Sequence, residues 1–235
     1  MRRELSDGGR GGCRDAPMIG SRELTLFLES LGQALGAAAD VTHDAAAAAG
    51  IRRLAHLGRS IAPVTAAVPE KPSTELLPVG RFWDEAIARA SGAGSSLAGI
   101  VDRLAPHFSW TQNPNYRREP PSPGFLDRYG YAVIVGPEDG PPALATDPRV
   151  AIGVLLLGPD THYPLHSHPA VEVYYTLTEE GEWWRDPGPW RREPSGSAIH
   201  HVANIPHATR TGAHPLLALY LWTGDLETHA SLNRC

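Results

Sequence analysis

His162-Tyr163-Pro164-Leu165-His166-Ser167-His168-Pro169-Ala170-Val171-Glu172-Val173-Tyr174-Tyr175-Thr176-Leu177 places metal-donor side chains at the spacing of extended chain. Side chains alternate between the two faces of a strand. His166, His168, Glu172 and Tyr174 all carry even numbers, so one continuous strand, or two segments in register, aims them the same way. Ile205-Pro206-His207 follows, with His207 35 residues after Glu172. Seven of the chain's 11 histidines fall between His162 and His214. His166, His168, Glu172 and His207 make a nitrogen and oxygen donor set suited to one divalent transition metal. Burying such groups without a metal costs several kcal/mol, which disfavours the alternative of plain interior polar residues.

Outward from this stretch the texture is β. Tyr131 to Val135, Val150 to Leu157, Glu172 to Leu177, Glu182 to Trp184, Ala198 to His201, His207 to Thr211 and Leu216 to Trp222 are short runs with Gly, Pro or Asp punctuation between them. Many short strands at this spacing predict an antiparallel sandwich or barrel. Toward the N-terminus the texture is helical. Leu24, Phe27, Leu28, Leu31 and Leu35 share one helix face, with Ser21 as N-cap. Further helices are expected over Asp44 to Leu57, over Phe82 to Ala90, and where Leu97, Ile100, Val101 and Leu104 share a face before Pro106. Pro63 to Pro72 reads as a connector and Pro114 to Gly124 as a linker or wrapping loop. Residues 1–17 read as a disordered extension, with Met18 as an alternative start. The organisation expected is a helical segment and linker over 18–128, then a metal-bearing β domain over 129–235.

Composition excludes several classes. With 21 basic and 26 acidic residues the net charge is -5. No Lys/Arg stripe is interleaved with aromatics, so nucleic acid is not an expected partner. Cys13 and Cys235 make no disulfide framework and point to a reducing compartment. The longest apolar run, Val150 to Leu157, is too short to span a membrane, and the first 17 residues lack a secretory apolar core. A soluble cytoplasmic protein is expected. No G-x-S-x-G elbow occurs, and the glycines near residue 10 follow no strand.

Gly158 with His166-x-His168-x-x-x-Glu172 resembles the first motif of the cupin superfamily. Gly196 through Val202-x-Asn204-x-x-His207-x-x-x-Thr211 resembles the second. Val202, Asn204 and Thr211 stand where that superfamily usually has Pro, Gly and Asn, substitutions that touch turns rather than ligands. A narrower likeness covers roughly Tyr131 to Leu226. The run from His162 to Leu177, His200-His201-x-x-Asn204-x-Pro206-His207-Ala208, and Trp222-Thr-Gly224-Asp225-Leu226 are similar to the cupin dimethylsulfoniopropionate (DMSP) lyases. The resemblance implies a mainly β cupin fold, an antiparallel barrel or jelly roll, with N-terminal helices packed outside it.

It also implies a metal-dependent β-elimination of a small zwitterion, releasing dimethyl sulfide and acrylate. Zinc is the first expectation, although the same donors accept Fe, Mn, Co or Ni. The metal takes the substrate carboxylate as Lewis acid. Tyr174, beside a dication, is expected to have a lowered pKa and to act as base, with Tyr163 a second acid/base candidate. Onium groups rest on aromatic faces, and the candidates are Tyr163, Trp183, Trp184, Tyr220 and Trp222. Either Tyr220 and Trp222 or Leu217, Leu219 and Leu221 face the pocket. His200 or His201 could orient a ligand from behind, and Asp225 reads as a turn residue. Two other functions stay open: another metal-cupin enzyme, such as a dioxygenase or isomerase on a small acid, and a non-catalytic cupin that binds a small molecule. A homodimer is the default assembly.

Overall fold

The computed structural model describes residues 21–61 and 77–233. The expectations for residues 1–17, for Met18, for the connector Pro63 to Pro72 and for both cysteines lie outside them, as does the capping side chain of Ser21. In chain order the elements are α1 (Ser21–Asp40), α2 (Ala45–Arg59), α3 (Trp83–Arg89), α4 (Ser95–Leu104), β1 (Trp110–Thr111), α5 (Pro114–Arg118), β2 (Tyr129–Gly136), β3 (Ala143–Thr146), β4 (Val150–Leu157), β5 (His162–Ser167), β6 (Val171–Thr176), β7 (Gly181–Arg185), β8 (Arg191–Arg192), β9 (Ala198–His201), β10 (His207–Thr211), β11 (Leu216–Thr223) and β12 (Ser231–Leu232).

Helix boundaries follow local chemistry. The Leu24–Leu35 stripe of α1 is fully buried. Asp44 caps α2 by accepting from the backbone N–H of Ala46 at 2.9 Å and of Ala47 at 3.2 Å. Pro106 falls in a 3-10 turn, Ala105–His107, that ends α4. The loop expected over Pro114 to Gly124 begins instead as α5. Asn113 accepts from the Asn115 N–H at 2.9 Å and Pro114 takes the first helical position, a pairing that starts helices because proline has no N–H to lose there. The turn buries Tyr116.

The strands form two sheets. The larger has the order β1-β2-β4-β11-β6-β9, with β3 on β2; the smaller has β12-β5-β10-β7-β8. Among the described residues every pairing is antiparallel except β2 with β3. This is the two-layer jelly roll that the cupin resemblance implies, with the helices outside it. It is not a closed barrel: among the described residues no ladder joins the two sheets.

One consequence corrects the parity reading. β5 and β6 do not continue one strand; they belong to opposite sheets. Pro169, which has no N–H for a ladder, lies in the crossing between them. His166 and Glu172 therefore come to the centre from opposite sheets. His207 is the ladder neighbour of His166 on β10.

The larger sheet separates two buried clusters. Leu217, Leu219 and Leu221 of β11 pack with Leu24, Phe27, Leu28 and Leu31 of α1. The opposite face carries Tyr174 and Tyr220 into a cluster with Tyr116, Phe125, Tyr129, Tyr163 and Trp183 between the sheets. Alternation along β11 thus resolves which face looks inward. No helix among the described residues is long and apolar enough to cross a membrane.

Candidate metal centre

Ladder register builds the centre row by row. On the larger sheet His201, Glu172, Trp222 and Ala151 stand opposite one another on β9, β6, β11 and β4. The next row on the same face is Ile199, Tyr174, Tyr220 and Gly153. From the smaller sheet come His166 and His207, with His168 just past the end of β5.

All four expected ligands are buried, and Glu172 has no exposed surface. The imidazoles share one device. Nδ1 of His166 lies 2.8 Å from the Pro164 carbonyl, Nδ1 of His168 3.0 Å from that of Ala170, and Nδ1 of His207 2.9 Å from that of Ile205. A carbonyl only accepts, so each Nδ1 carries a proton, and in that tautomer Nε2 is the nitrogen with a lone pair to give. Nε2 of His168 and Nε2 of His207 each lie 3.3 Å from Oε2 of Glu172. Nε2 of His207 is buried with no hydrogen-bond partner among the described residues. Lone pairs turned on an anionic oxygen in a buried space are unfavourable unless a cation lies among them. This donor set fits a divalent metal. Donor atoms of His168, Glu172 and His207 all lie within 4.8 Å of one another. His166 stands beside this trio, its ring centroid 4.1 Å from that of His207 and 6.4 Å from that of His168.

Electrostatics act strongly on this cluster. Burial holds the His166 imidazole well below its usual pKa, and the neighbouring His207 adds to the effect. Burial likewise takes His201 down to about 3. For Glu172, burial alone would raise the carboxyl, but the imidazoles gathered round it, His168 first and then His201 and His207, outweigh burial and hold it well below the usual range. Tyr174 differs from expectation. Burial, then the Glu172 charge and a hydrogen bond to that carboxylate, push its phenol well above 10. The protein's own groups thus keep the proton on Tyr174.

A cavity of about 90 Å³ opens over the centre. Its walls include Tyr131, Tyr163, Glu172, Tyr174, Tyr220 and Trp222. Tyr163 stacks face to face on His166, with centroids 4.0 Å apart, and its hydroxyl lies 3.3 Å from that of Tyr116. Trp183 and Trp184 do not line this cavity. Trp183 packs 4.9 Å behind Tyr174, while alternation turns Trp184 to the other face of β7; both border an outer groove near α2. Tyr129 and Tyr131 on the cavity wall escaped sequence reading, although their i, i+2 spacing on β2 was a usable signal. Asn113 escaped it too; its amide donates to the Ala230 carbonyl at 2.9 Å and ties the C-terminal segment across the cavity rim.

The remaining histidines divide. His201 bonds Glu172 through Nδ1 at 3.0 Å, whereas His200 points to the opposite face, against Gly50 of α2. His162 is exposed near Trp190, and His214 bonds Glu85 at 3.0 Å. Asp225 closes a turn by accepting from the N–H groups of Glu227 and Thr228. Asn204 has φ +61°, the left-handed conformation for which cupins use glycine at that position and which asparagine tolerates.

A family model described as dimethylsulfoniopropionate lyase matches residues 51–218. Dimethylsulfoniopropionate lyase DddQ of Ruegeria pomeroyi is 41% identical over 104 residues, which is 44% of this chain and 50% of that protein. Putative dimethylsulfoniopropionate lyase DddL of Cereibacter sphaeroides is 29% identical over 163 residues, 68% of this chain and 65% of that protein. The chain therefore spans about half to two thirds of the length of these curated relatives. The crystal structure of DddQ from Ruegeria pomeroyi matches with a TM-score of 0.63 and 25% identity, over 73% of this chain and 82% of that one. A crystal structure described with the DMSP lyases RdDddP and RnDddQII matches with a TM-score of 0.67 at 23% identity, over 92% of this chain and 100% of that one, and speaks for the fold alone. The family match covers most of the chain, and the matched residues include His166, His168, Glu172, His207, Tyr163 and Tyr174: this chain belongs to the dimethylsulfoniopropionate lyase family.

Proposed function

We propose that this chain is a metal-dependent DMSP lyase, cleaving its substrate to dimethyl sulfide and acrylate. The observation that carries the reading is the pair of Nε2 atoms, of His168 and His207, facing Glu172 beneath an aromatic cavity that also holds the Tyr174 phenol. A divalent ion held by His166, His168, Glu172 and His207 would supply positive charge that polarises the substrate carboxylate and favours ionisation of a neighbouring phenol.

The chain's own residues account for the rest. Tyr174, one row from Glu172 on the same face of β6, removes the proton on the carbon next to the substrate carboxylate. As that C–H bond breaks, the carbon–carbon double bond forms. The C–S electron pair leaves with sulfur, so dimethyl sulfide departs neutral and no general acid is needed. Faces of Tyr131, Tyr220 and Trp222 receive the sulfonium, because aromatic quadrupoles attract onium cations. Tyr163, stacked on His166 and engaged with Tyr116, orders that imidazole. Enclosure by Asn113 and the Ala230 segment keeps bulk water from the α-carbon.

The test is to incubate purified, metal-loaded protein with DMSP and quantify headspace dimethyl sulfide and dissolved acrylate. Equimolar release is expected. Oxygen uptake, or inertness toward DMSP beside turnover of another small acid, would move the chain to a different cupin chemistry.

A further inference from the structure

Glu172 is gripped on both oxygens by two aromatic side chains that the proposed elimination does not require to react. Trp222 donates Nε1–H to Oε1 at 2.6 Å, and Nδ1 of His201 lies 3.0 Å from Oε2. Oε2 is an anionic acceptor in a fully buried site, so this Nδ1 carries the proton and donates. Each donor ring then does a second job. Trp222 stacks on His168, centroids 4.1 Å apart and planes 28° apart. His201 stacks on His207, centroids 4.1 Å apart and planes 27° apart. Both pairs come from register: His201 and Trp222 are the two ladder neighbours of Glu172.

We propose that His201 and Trp222 are positioning residues, a two-sided clamp that presents Oε2 of Glu172, and not Oε1, toward Nε2 of His168 and His207. The inference rests on the metal reading above. With Oε1 engaged by the indole and Oε2 turned on the imidazoles, Glu172 would serve a bound ion chiefly through Oε2, which would leave more of the coordination sphere for substrate. The stacks hold the two imidazoles at the angle their Nε2 atoms need. His200, one residue earlier but on the opposite face of β9, takes no part. Partners of this kind behind a metal ligand are worth roughly 10- to 100-fold in metal affinity.

The test uses the full chain and Co(II), titrated in competition with a chromophoric chelator, with the visible absorption of the bound ion recorded. His201→Phe keeps a ring against His207 but removes the donor; His201→Asn keeps a donor and removes the ring. Expected results are a Co(II) affinity about 10- to 100-fold weaker with an altered absorption band in His201→Phe, recovery of most of that loss in His201→Asn, and no change in His200→Ala. Equal affinity and an unchanged band in His201→Phe would overturn the clamp, as would His201→Asn being as weak as His201→Phe. Should His201→Phe show no cooperative melt, His201→Asn against His201→Leu decides, and equal affinity in that pair overturns the proposal. Wild-type protein that binds no Co(II) would instead refute the metal reading itself.

Discussion

Gly153 sits in the middle of the larger sheet, on β4 between β2 and β11, opposite Val133 and Tyr220. A methyl group there would stand 2.1 Å from the Ala132 carbonyl oxygen, 2.6 Å from the Tyr220 hydroxyl and 2.7 Å from its ring edge. The first contact is with backbone held in a ladder, so it cannot be relieved by a rotamer. The second is with a cavity wall. Forcing extra volume into packed structure costs about 1–3 kcal/mol, and the backbone contact puts Gly153→Ala at the upper end. At about 2–4 °C per kcal/mol for a chain of this size, the melting temperature should fall by roughly 4–12 °C. Displacing Tyr220, the ladder neighbour of Tyr174, by about 1 Å should cost up to about 10²-fold in kcat/KM. Circular dichroism melts and dimethyl sulfide release measure the two effects. Adding Tyr220→Phe removes the hydroxyl from the contact and should recover part of the stability. An unchanged melting temperature in Gly153→Ala would refute the packing argument.

Tyr174→Phe should keep fold and metal and lose roughly 10²- to 10⁴-fold in kcat, the usual range for a general base. Tyr163→Phe keeps the stack on His166 and loses only a hydroxyl already engaged by Tyr116, so it should cost far less; the reverse order would exchange their roles. Acid sensitivity follows from the buried imidazoles. His201 titrates at about 3 when folded against 6.5 as its ordinary value, so below 6.5 the unfolded chain binds a proton that the folded chain refuses. Stability contributed this way is complete above 6.5 and is lost as pH falls from there toward 3, by about 1.4 kcal/mol per unit for one such group. Burial of His166 acts in the same sense. Urea titrations of chelator-treated protein at pH 7 and pH 5 should show the drop, and equal stability at the two values would contradict it.

The sequence was legible where a single periodicity governs. Val150–Leu157, Ala198–His201 and His207–Thr211 are strands with the bounds their patterns predict, and the Leu24–Leu35 stripe is the buried face of α1. The donor residues were legible as a set because their chemistry is unusual. Their arrangement was not, because parity fixes a side chain's face only within one strand and says nothing about which sheet holds that strand. His166 and Glu172 share parity and converge all the same, but across two layers. Trp222 read as an onium candidate because it shares a strand face with Tyr220, but alternation left open which face looks inward, and its bond to Glu172 depends on the register of β11 against β6. Tyr174 gave the clearest lesson. Proximity to a metal argued for a lowered pKa, yet burial and Glu172 raise it, so any ionisation at neutral pH has to work against the protein's own field. α5 was readable from Asn113-Pro114, but the Arg and Pro content of the segment masked one capped turn.

The most direct test is metal content read alongside turnover in one preparation. Protein stripped by chelator should release no dimethyl sulfide from DMSP, and adding back one equivalent of a divalent transition ion should restore release in proportion to the metal bound. His207→Ala should bind less metal and release correspondingly less product. Full turnover in stripped protein, or stoichiometric metal in wild type with no dimethyl sulfide formed, would contradict the assignment of the buried His/Glu cluster as the seat of a lyase.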